Sequence, residues 1–344
     1  MIEYSRVCLH TFGYVLPPRI LTSEDIENRL LPVYEKLKLP SGRLQLMSGI
    51  AQRRFWDPGT RPSQAASLAG KRVLEAADIA ASQIECLIFT SVSRDMMEPA
   101  TASFVHNNLG LSSDCLIFDI SNACLGFLDG MVMLANMIEL GQVGNGLIVS
   151  GETAEELVES TLLSLLQDEN LSRKSIKPAF ASLTIGSGSM GLFMSRSREN
   201  EQRPRLRHGA WRANTVHSDL CHGGQQGEGT LMATDSESLL YRGVETAALT
   251  WKTFSSSPGW SASDIDRFFC HQVGSAHARL LFETLRLEQD KNFETLEFLG
   301  NVGSVSAPIT MAMAMEKGVF RPGQKGALLG IGSGINCLML GVEW

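Results

Sequence analysis

The sequence predicts an α/β protein whose helices cover a largely buried sheet. Short apolar runs typical of strands alternate with longer segments typical of helices along most of the chain. The chain has 344 residues and is 44% hydrophobic, which is enough for about two domains and a sizeable core. The order of elements is similar in the two halves, and each half ends in paired strands, although no sequence repeat is visible.

The first predicted domain, residues 1–197, carries a cysteine at position 124. Its predicted elements are a strand over 4–14, a polar helix over 23–38, a helix over 63–77, a strand over 85–92, a short helix over 102–109, a strand over 115–120, a buried helix over 124–141 and a strand over 146–150. Residues 152–181 are charged and helix-like, so we interpret them as an insertion that caps the active site against water. Two short strands over 182–197 are expected to close this half.

A polar stretch over 197–208 leads into the second predicted domain, residues 198–344. This stretch either connects the two halves or is a surface loop within one domain. The further predicted elements are a strand over 206–215, a glycine-rich loop over 217–229, a helix over 237–254, a strand ending at His271, a helix over 275–285 and two terminal strands.

Charge, hydropathy and cysteine spacing argue against several kinds of protein. The net charge is −7 without a basic block, which disfavours nucleic acid as the main partner. No uninterrupted apolar run reaches the roughly 18 residues of a membrane span, and the N-terminus lacks a signal-peptide pattern. The 7 cysteines contain no C-x-x-C pair, which favours a reducing, cytoplasmic location. His217, Cys221 and His222 share a loop without a fourth ligand, so no metal and no cofactor are expected.

Cys124 is the candidate nucleophile. It stands between an apolar strand and a long apolar helix, where a helix N-terminus favours the thiolate that attacks electrophiles. We therefore expect a lowered pKa for its thiol. The alternative is a buried cysteine that acts as a small hydrophobic residue.

Three further groups are candidate partners of Cys124. His271 follows an apolar strand in "RFFCHQVGSAH", at the end where α/β sheets bind ligands, and its imidazole can donate a hydrogen bond or carry a proton. Asn301, in "GNVGSVSAP", offers amide N–H donors ahead of another predicted helix, although Gly-Asn-x-Gly is also ordinary turn chemistry. In "GIGSG", the backbone at Ser333 and Gly334 can form an oxyanion hole with the amide of Cys124, or only a tight hairpin.

These motifs, in this order, resemble the thiolase superfamily and, within it, the β-ketoacyl-ACP synthase III group of condensing enzymes. The resemblance covers nearly the whole chain. It implies a thiolase-like, five-layered α-β-α-β-α sandwich of two similar halves, and a homodimer. It also implies that Cys124 accepts an acyl group from a thioester, that His271 and Asn301 bind the carbonyl oxygen of a second thioester as its enolate forms, and that the amides of Cys124 and Gly334 hold an oxyanion.

The loop "TSVSRDMMEPATAS" is similar to that of the olefin-pathway condensing enzymes, which join two fatty acyl-CoA molecules head to head. In that group a glutamate of this loop reaches the neighbouring subunit's site, and Glu98 matches it. Without decarboxylation, an α-proton must be removed by a base, which a positioned carboxylate can be. The alternative is a surface charge ahead of Pro99.

The sequence departs from the ordinary synthase III pattern at the residues that grip coenzyme A. The expected Trp and Arg ahead of "SGI" are absent, so Arg53 and Arg54 are candidates for phosphate contacts, or else solvated surface residues. The stretch 186–191, "GSGSMG", lacks the family's aspartate. The sequence therefore does not identify the residues that bind coenzyme A or acyl carrier protein.

The leading hypothesis is a Claisen condensation of two fatty acyl-CoA molecules through an acyl-Cys124 intermediate, which gives a β-ketoacyl product. The alternative is decarboxylative condensation with malonyl-ACP, as in the initiation of fatty-acid or polyketide synthesis. A non-catalytic scaffolding subunit is disfavoured because the chain keeps Cys124, His271 and Asn301 together. A simple thioesterase is also conceivable, since water can intercept an acyl-enzyme.

Overall fold

The computed structural model describes residues 1–198, 202–226 and 229–344, and a ten-stranded sheet forms the core of these residues. The strands are β1 (Ile2–Glu3), β2 (Val7–Val15), β3 (Arg19–Thr22), β4 (Gln52–Phe55), β5 (Cys86–Phe89), β6 (Leu116–Asp119), β7 (Asn145–Glu152), β8 (Gly188–Arg196), β9 (Arg205–Ala213), β10 (Cys221–Gln226), β11 (Gly229–Thr234), β12 (Arg267–Cys270), β13 (Lys325–Gly332) and β14 (Asn336–Glu343). The helices are α1 (Ser23–Arg29), α2 (Leu31–Leu37), α3 (Arg43–Ser48), α4 (Pro62–Ala77), α5 (Thr101–Leu109), α6 (Gly126–Glu139), α7 (Glu155–Gln167), α8 (Ser236–Phe254), α9 (Ser275–Leu285), α10 (Leu296–Leu299) and α11 (Ser306–Glu316).

The main sheet consists of two parts with matching strand order. It runs β12-β13-β14-β9-β2-β8-β7-β5-β6, and β1 pairs with β9. In the first part β5 is parallel to β6 and β7, whereas β7-β8 and β8-β2 are antiparallel. In the second part β12-β13 is parallel and β13-β14 and β14-β9 are antiparallel. In the second part, the position that corresponds to β6 is taken by a single parallel bridge between Phe268 of β12 and Asn292. A single pairing, Cys8 with Arg205, joins β2 to β9.

Helices arrange these two parts into five layers. The largest hydrophobic cluster combines α6 and α11 with inward-facing residues of strands from both parts, so these two helices form the central layer. A second cluster packs α8 and α9 on the outer face of β12, β13 and β14. A third packs α4 and α5 on the outer face of β5, β7 and β8. Helix α11 is buried continuously over residues 306–314, as expected for a helix that is apolar on all sides.

A separate cluster lies beside the first part of the sheet. It packs α1, α2 and α3 against α7 and the segment over 171–185, so the predicted insertion over 152–181 covers the region over 23–48. The predicted helix over 23–38 is divided in two at Leu30, because Pro32 lacks an N–H and disfavours continuation of the preceding helix. Thr22 and Asp25 form a capping box at the start of α1.

Two other sequence predictions are wrong in detail. The stretch over 182–197 forms a single strand, β8, after a short 3-10 turn at Ser182–Thr184, because its run of buried residues fills one continuous place between β7 and β2. The glycine-rich loop predicted over 217–229 instead contains strand β10, which pairs with β11 in a hairpin. Glycines do not prevent this pairing, since the ladder uses only backbone groups. Residues 227 and 228 of the predicted loop lie outside the described residues.

The predicted connection over 197–208 lies partly outside the described residues, since 199–201 are not among them. The domain boundary at 197/198 therefore stays a prediction. Within the described ranges, no helix is both long and apolar enough to cross a membrane.

The contact between α4 and β7 provides a test of this packing. A Cβ at Gly151 would lie 2.2 Å from the backbone oxygen of Pro62 and 2.7 Å from the backbone nitrogen of Ala66. We expect Gly151→Ala to lower the free energy of unfolding by about 2 kcal/mol or more, because two backbones must separate. The measurement is urea denaturation. Gly224→Ala is the control, since nothing lies within 4 Å of its Cβ; equal unfolding midpoints for the two variants would contradict the packing.

Candidate active site

Cys124, His271 and Asn301 line the same cavity, although they are far apart in the chain. The cavity has a volume of about 360 Å³. Most of the other side chains that line it are apolar. They include Leu44, Met47, Val92, Leu157, Phe180, Ile185, Met232, Leu239, Leu240, Val244, Val273, Leu281 and Ile331. The structure thus brings the three predicted groups together in an apolar environment.

Cys124 lies in a strained turn between β6 and α6. Ala123, the residue before it, has a φ of +47°, which side chains other than glycine rarely adopt. The turn is closed by a hydrogen bond of 2.9 Å from the N–H of Leu125 to the carbonyl of Asn122. Helix α6 begins at Gly126, so the cysteine stands two residues ahead of the helix rather than in its first turn.

The prediction of a lowered thiol pKa is wrong for the free protein. Burial above all, followed by the nearby Cys221 and the negative charge of Glu152, raises the pKa of Cys124 to about 12, although the N–H groups of Cys124 itself and of Ser333 act in the opposite direction. Desolvation disfavours a thiolate more than these two donors favour it. The free thiol is therefore neutral at pH 7, and its proton must leave during the reaction.

The turn between β13 and β14 supplies one of those donors. The backbone N–H of Ser333 points to the sulfur of Cys124, and Ser333 lines the cavity. Gly334 adopts a φ of +118° in the same turn and is absent from the cavity lining. The structure thus brings the N–H of Ser333 to the sulfur of Cys124, and the role of Gly334 in an oxyanion hole stays a prediction. A Cβ at Gly330 would lie 2.6 Å from Leu125, so only glycine lets β13 approach the start of α6.

His271 follows β12 and presents a neutral imidazole to the cavity. Its backbone N–H donates to the carbonyl of Leu329 in β13 at 2.9 Å. Within the described residues, neither of its ring nitrogens has a hydrogen-bond partner. Burial, together with a smaller effect of His277, lowers the pKa of His271 to about 4. Burial also lowers the pKa of His277, another cavity residue, to about 4. Both rings are thus uncharged at pH 7.

Gln272, which the sequence reasoning missed, anchors the end of β12. Its buried amide donates to Thr310 at 2.7 Å and to Thr295 at 3.3 Å, and it accepts the N–H of Thr295 at 2.9 Å. Thr310 belongs to α11, so these bonds fix the position of His271 relative to the central layer. A glutamine beside a histidine carries no signal of this role in the sequence.

Asn301 is buried and lies in a turn ahead of α11. Its backbone N–H donates to the carbonyl of Thr184 at 3.0 Å, and its carbonyl accepts from Gly186 at 2.8 Å. Its side-chain Oδ1 accepts from the N–H of Gly303 at 3.1 Å. Because Oδ1 is held in this way, the Nδ2 group is the part of the amide that can donate into the cavity.

Glu98 lies outside the cavity of its own chain. It is exposed, in the loop between β5 and α5, and it is absent from the cavity lining. Among the described residues that line the cavity, Glu152 is the one carboxylate, and the sequence reasoning missed it.

The structure does not support phosphate contacts by Arg53. This side chain is 0% exposed, because the alternation along β4 turns it inward, and it donates to Ser23 at 3.1 Å. Burial lowers the pKa of Arg53 to about 10, so it stays charged at pH 7. Arg54 is half-buried and donates to the carbonyl of Pro17 at 3.0 Å, away from the cavity.

Of the loop residues at which no metal is expected, His217 and Cys221 lie in different elements. His217 lies in a 3-10 segment, Thr215–Leu220, whereas Cys221 begins β10 and reaches the cavity. No group of three or more His, Cys, Asp or Glu side chains that could hold a metal ion occurs within the described part of the chain.

This arrangement suits thioester chemistry. A thiol that loses its proton as it attacks can add to a carbonyl, and the two backbone N–H donors can stabilise the oxyanion that forms. A neutral imidazole and a fixed carboxamide can both donate to a second carbonyl oxygen, which stabilises an enolate. The apolar cavity strengthens these interactions because it excludes water.

Comparisons with known proteins agree with this chemistry. Models of 3-oxoacyl-[acyl-carrier-protein] synthase III match residues 118–167, and those of its C-terminal part match residues 256–344. An acyl-CoA:acyl-CoA alkyltransferase of Shewanella oneidensis is 38% identical, with 100% of both chains covered. One of Xanthomonas campestris is 36% identical, with 99% of each covered. A β-ketoacyl-[acyl-carrier-protein] synthase III of Caldanaerobacter subterraneus is 24% identical, with 96% of each covered.

Solved structures confirm the predicted thiolase-like fold. Cerulenin-bound OleA of Xanthomonas campestris matches with a TM-score of 0.95 at 36% identity, covering 100% of this chain and 98% of that chain. A 3-oxoacyl-(acyl carrier protein) synthase III of Xanthomonas oryzae matches with a TM-score of 0.95 at 35% identity, covering 100% of both chains.

The raised pKa of Cys124 predicts how the free protein reacts with iodoacetamide. The rate of alkylation at Cys124 should rise about tenfold per pH unit between about pH 6 and 9, because the thiolate fraction grows without saturating below the pKa. The rate is measured by intact mass spectrometry, and Cys124→Ser serves as the control for the other cysteines. A plateau of the rate near pH 7 would show that the thiol is already ionised.

Proposed function

The chain belongs to the acyl-CoA:acyl-CoA alkyltransferase family, and we propose that it joins two fatty acyl-CoA molecules in a Claisen condensation. The observation that carries this proposal is the convergence of Cys124, His271 and Asn301 in one mainly apolar cavity. Such a lining suits fatty acyl chains, whose burial is favourable by about 0.8 kcal/mol per CH₂.

In the first step, the sulfur of Cys124 attacks the carbonyl carbon of one acyl-CoA. The N–H groups of Cys124 and Ser333, which already point to the sulfur, lie near the oxyanion that forms. Collapse of this intermediate releases coenzyme A as its thiol, and the proton of Cys124 accounts for the thiol hydrogen. The acyl group remains on Cys124 as a thioester.

In the second step, a second acyl-CoA becomes the carbon nucleophile. Its carbonyl oxygen accepts hydrogen bonds from an imidazole N–H of His271 and from Nδ2 of Asn301, and a base removes an α-proton. The enolate carbon attacks the acyl-Cys124 carbonyl, a carbon–carbon bond forms and the thiolate of Cys124 leaves. The product is a β-ketoacyl-CoA, whose thioester can be hydrolysed to a β-keto acid.

We propose that the base is Glu98 of the partner subunit in a homodimer. Three observations support this: Glu98 is absent from its own cavity, Met97 beside it is 90% exposed, and strand β6 is the free edge of the main sheet. An exposed edge strand and exposed apolar side chains are typical of a surface that pairs with a second copy.

The 7 cysteines, all free, also support the predicted reducing, cytoplasmic location.

Incubation with acyl-CoA alone tests the reaction. The protein should convert myristoyl-CoA to a β-ketoacyl product without malonyl-ACP, as detected by mass spectrometry, and Cys124→Ala should give neither the product nor an acyl-protein adduct. An absolute requirement for malonyl-ACP would instead favour the decarboxylative synthase III reaction. Release of free fatty acid without a condensed product would indicate a thioesterase.

A heterodimer tests whether Glu98 acts across the interface. Glu98→Gln and Cys124→Ala chains with different tags are co-expressed, and dimers that carry both tags are isolated. If Glu98 acts in the partner's site, each such dimer has one complete site and should show about half of the unsubstituted activity, although each parent is inactive. Inactive heterodimers would place Glu98 in the site of its own chain, and an active Glu98→Gln parent would place it outside the reaction.

A further inference from the structure

A buried carboxylate connects two segments that carry predicted catalytic groups. Glu152 ends β7, is 4% exposed and forms part of the cavity wall with Cys124. Its Oε1 accepts from the N–H of Val92 at 3.1 Å, from the N–H of Ser304 at 3.1 Å and from the hydroxyl of Ser304 at 2.5 Å. Its Oε2 accepts from the N–H and the hydroxyl of Ser93, each at 3.2 Å.

The partners of Glu152 belong to two segments that are far apart in the chain. Val92 and Ser93 follow β5 and begin the loop that runs on to Glu98. Ser304 belongs to the turn Gly303–Val305, between Asn301 and α11. One carboxylate therefore fixes both the loop of the predicted base and the turn that follows the enolate-binding amide.

The turn at Gly303 rests directly on this carboxylate. Gly303 has a φ of +58°, and a Cβ there would lie 3.0 Å from Oε1 and Cδ of Glu152. A side chain at position 303 would therefore strain the backbone and displace the carboxylate. The same glycine donates its N–H to Oδ1 of Asn301, so the carboxylate and the catalytic amide are packed against one turn.

Glu152 is poorly suited to remove a proton itself. A carboxylate has about four lone-pair positions, and five hydrogen bonds from the protein already occupy them. We propose that Glu152 is a positioning residue, which holds Asn301 and the Glu98 loop in place for condensation and is not needed for acylation of Cys124. This inference rests on the proposed function, since it assigns the residue to one of its two steps.

Glu152→Gln tests this role because the amide places an NH₂ group against N–H donors while it keeps the size of the side chain. Acyl-Cys124 formation, measured by intact mass, should stay within about threefold of the unsubstituted rate, whereas β-ketoacyl formation should fall about 100-fold. The kinetic isotope effect with α-deuterated acyl-CoA should rise, because proton removal becomes more rate-limiting. Glu156→Gln is the control, since Glu156 is an exposed residue of α7 that accepts from Thr230.

Hydrogen exchange gives a readout that needs no turnover. Backbone amides over 92–98 and 301–305 should exchange faster in Glu152→Gln than in the control variant, and Ser304→Ala, which keeps the charge, should loosen mainly 301–305. Equal slowing of both steps with an unchanged isotope effect, or unchanged exchange in both segments, would overturn the proposal. If the unsubstituted protein forms no β-ketoacyl product, the proposed function fails, whereas the exchange data still decide whether Glu152 fixes both segments.

Discussion

The packing of α6 and α11 between the two parts of the sheet is the constraint on which the site depends. Both helices are buried in one hydrophobic cluster, and Cys124 and Asn301 lie in the turns that lead into them. Since the turns ahead of both helices line the same cavity, the fold itself brings the predicted nucleophile and the predicted amide donor together. His271 is added from the end of β12, which Gln272 links to α11.

Apart from the carboxylate of Glu152, the cavity groups that are predicted to react carry no charge before substrate binds. The thiol of Cys124 and the imidazole of His271 are both neutral at pH 7, because burial raises the pKa of one and lowers that of the other. Each group is therefore a hydrogen-bond donor or a latent nucleophile rather than an ion. Negative charge develops on the substrate when a thioester carbonyl becomes an oxyanion or an enolate, and fixed donors in an apolar cavity stabilise such charge strongly.

Sequence reasoning located the groups that carry a distinctive chemical context and missed those whose role depends on tertiary contacts. Cys124, His271 and Asn301 each stand at a turn beside an apolar element, which local patterns reveal. Glu152 and Gln272 are ordinary polar residues whose importance comes from partners far away in the chain. The prediction of a lowered pKa for the Cys124 thiol is wrong because a sequence shows that the residue lies near the start of a helix but does not show how deeply it is buried. The prediction that Arg53 contacts phosphate is wrong because the register of β4 turns this side chain inward.

The unequal ends of the main sheet limit how copies of this chain can associate. At the β12 end, the next place is filled by the bridge to Asn292 and the strand is largely buried, whereas β6 at the opposite end has no neighbour on its outer side within the described residues. Among the described strands of the main sheet, β6 thus offers the edge that is open to strand addition along its whole length. Two molecules joined in this way would form a closed dimer instead of a filament, because the β6 edge of each would pair with the β6 edge of the other.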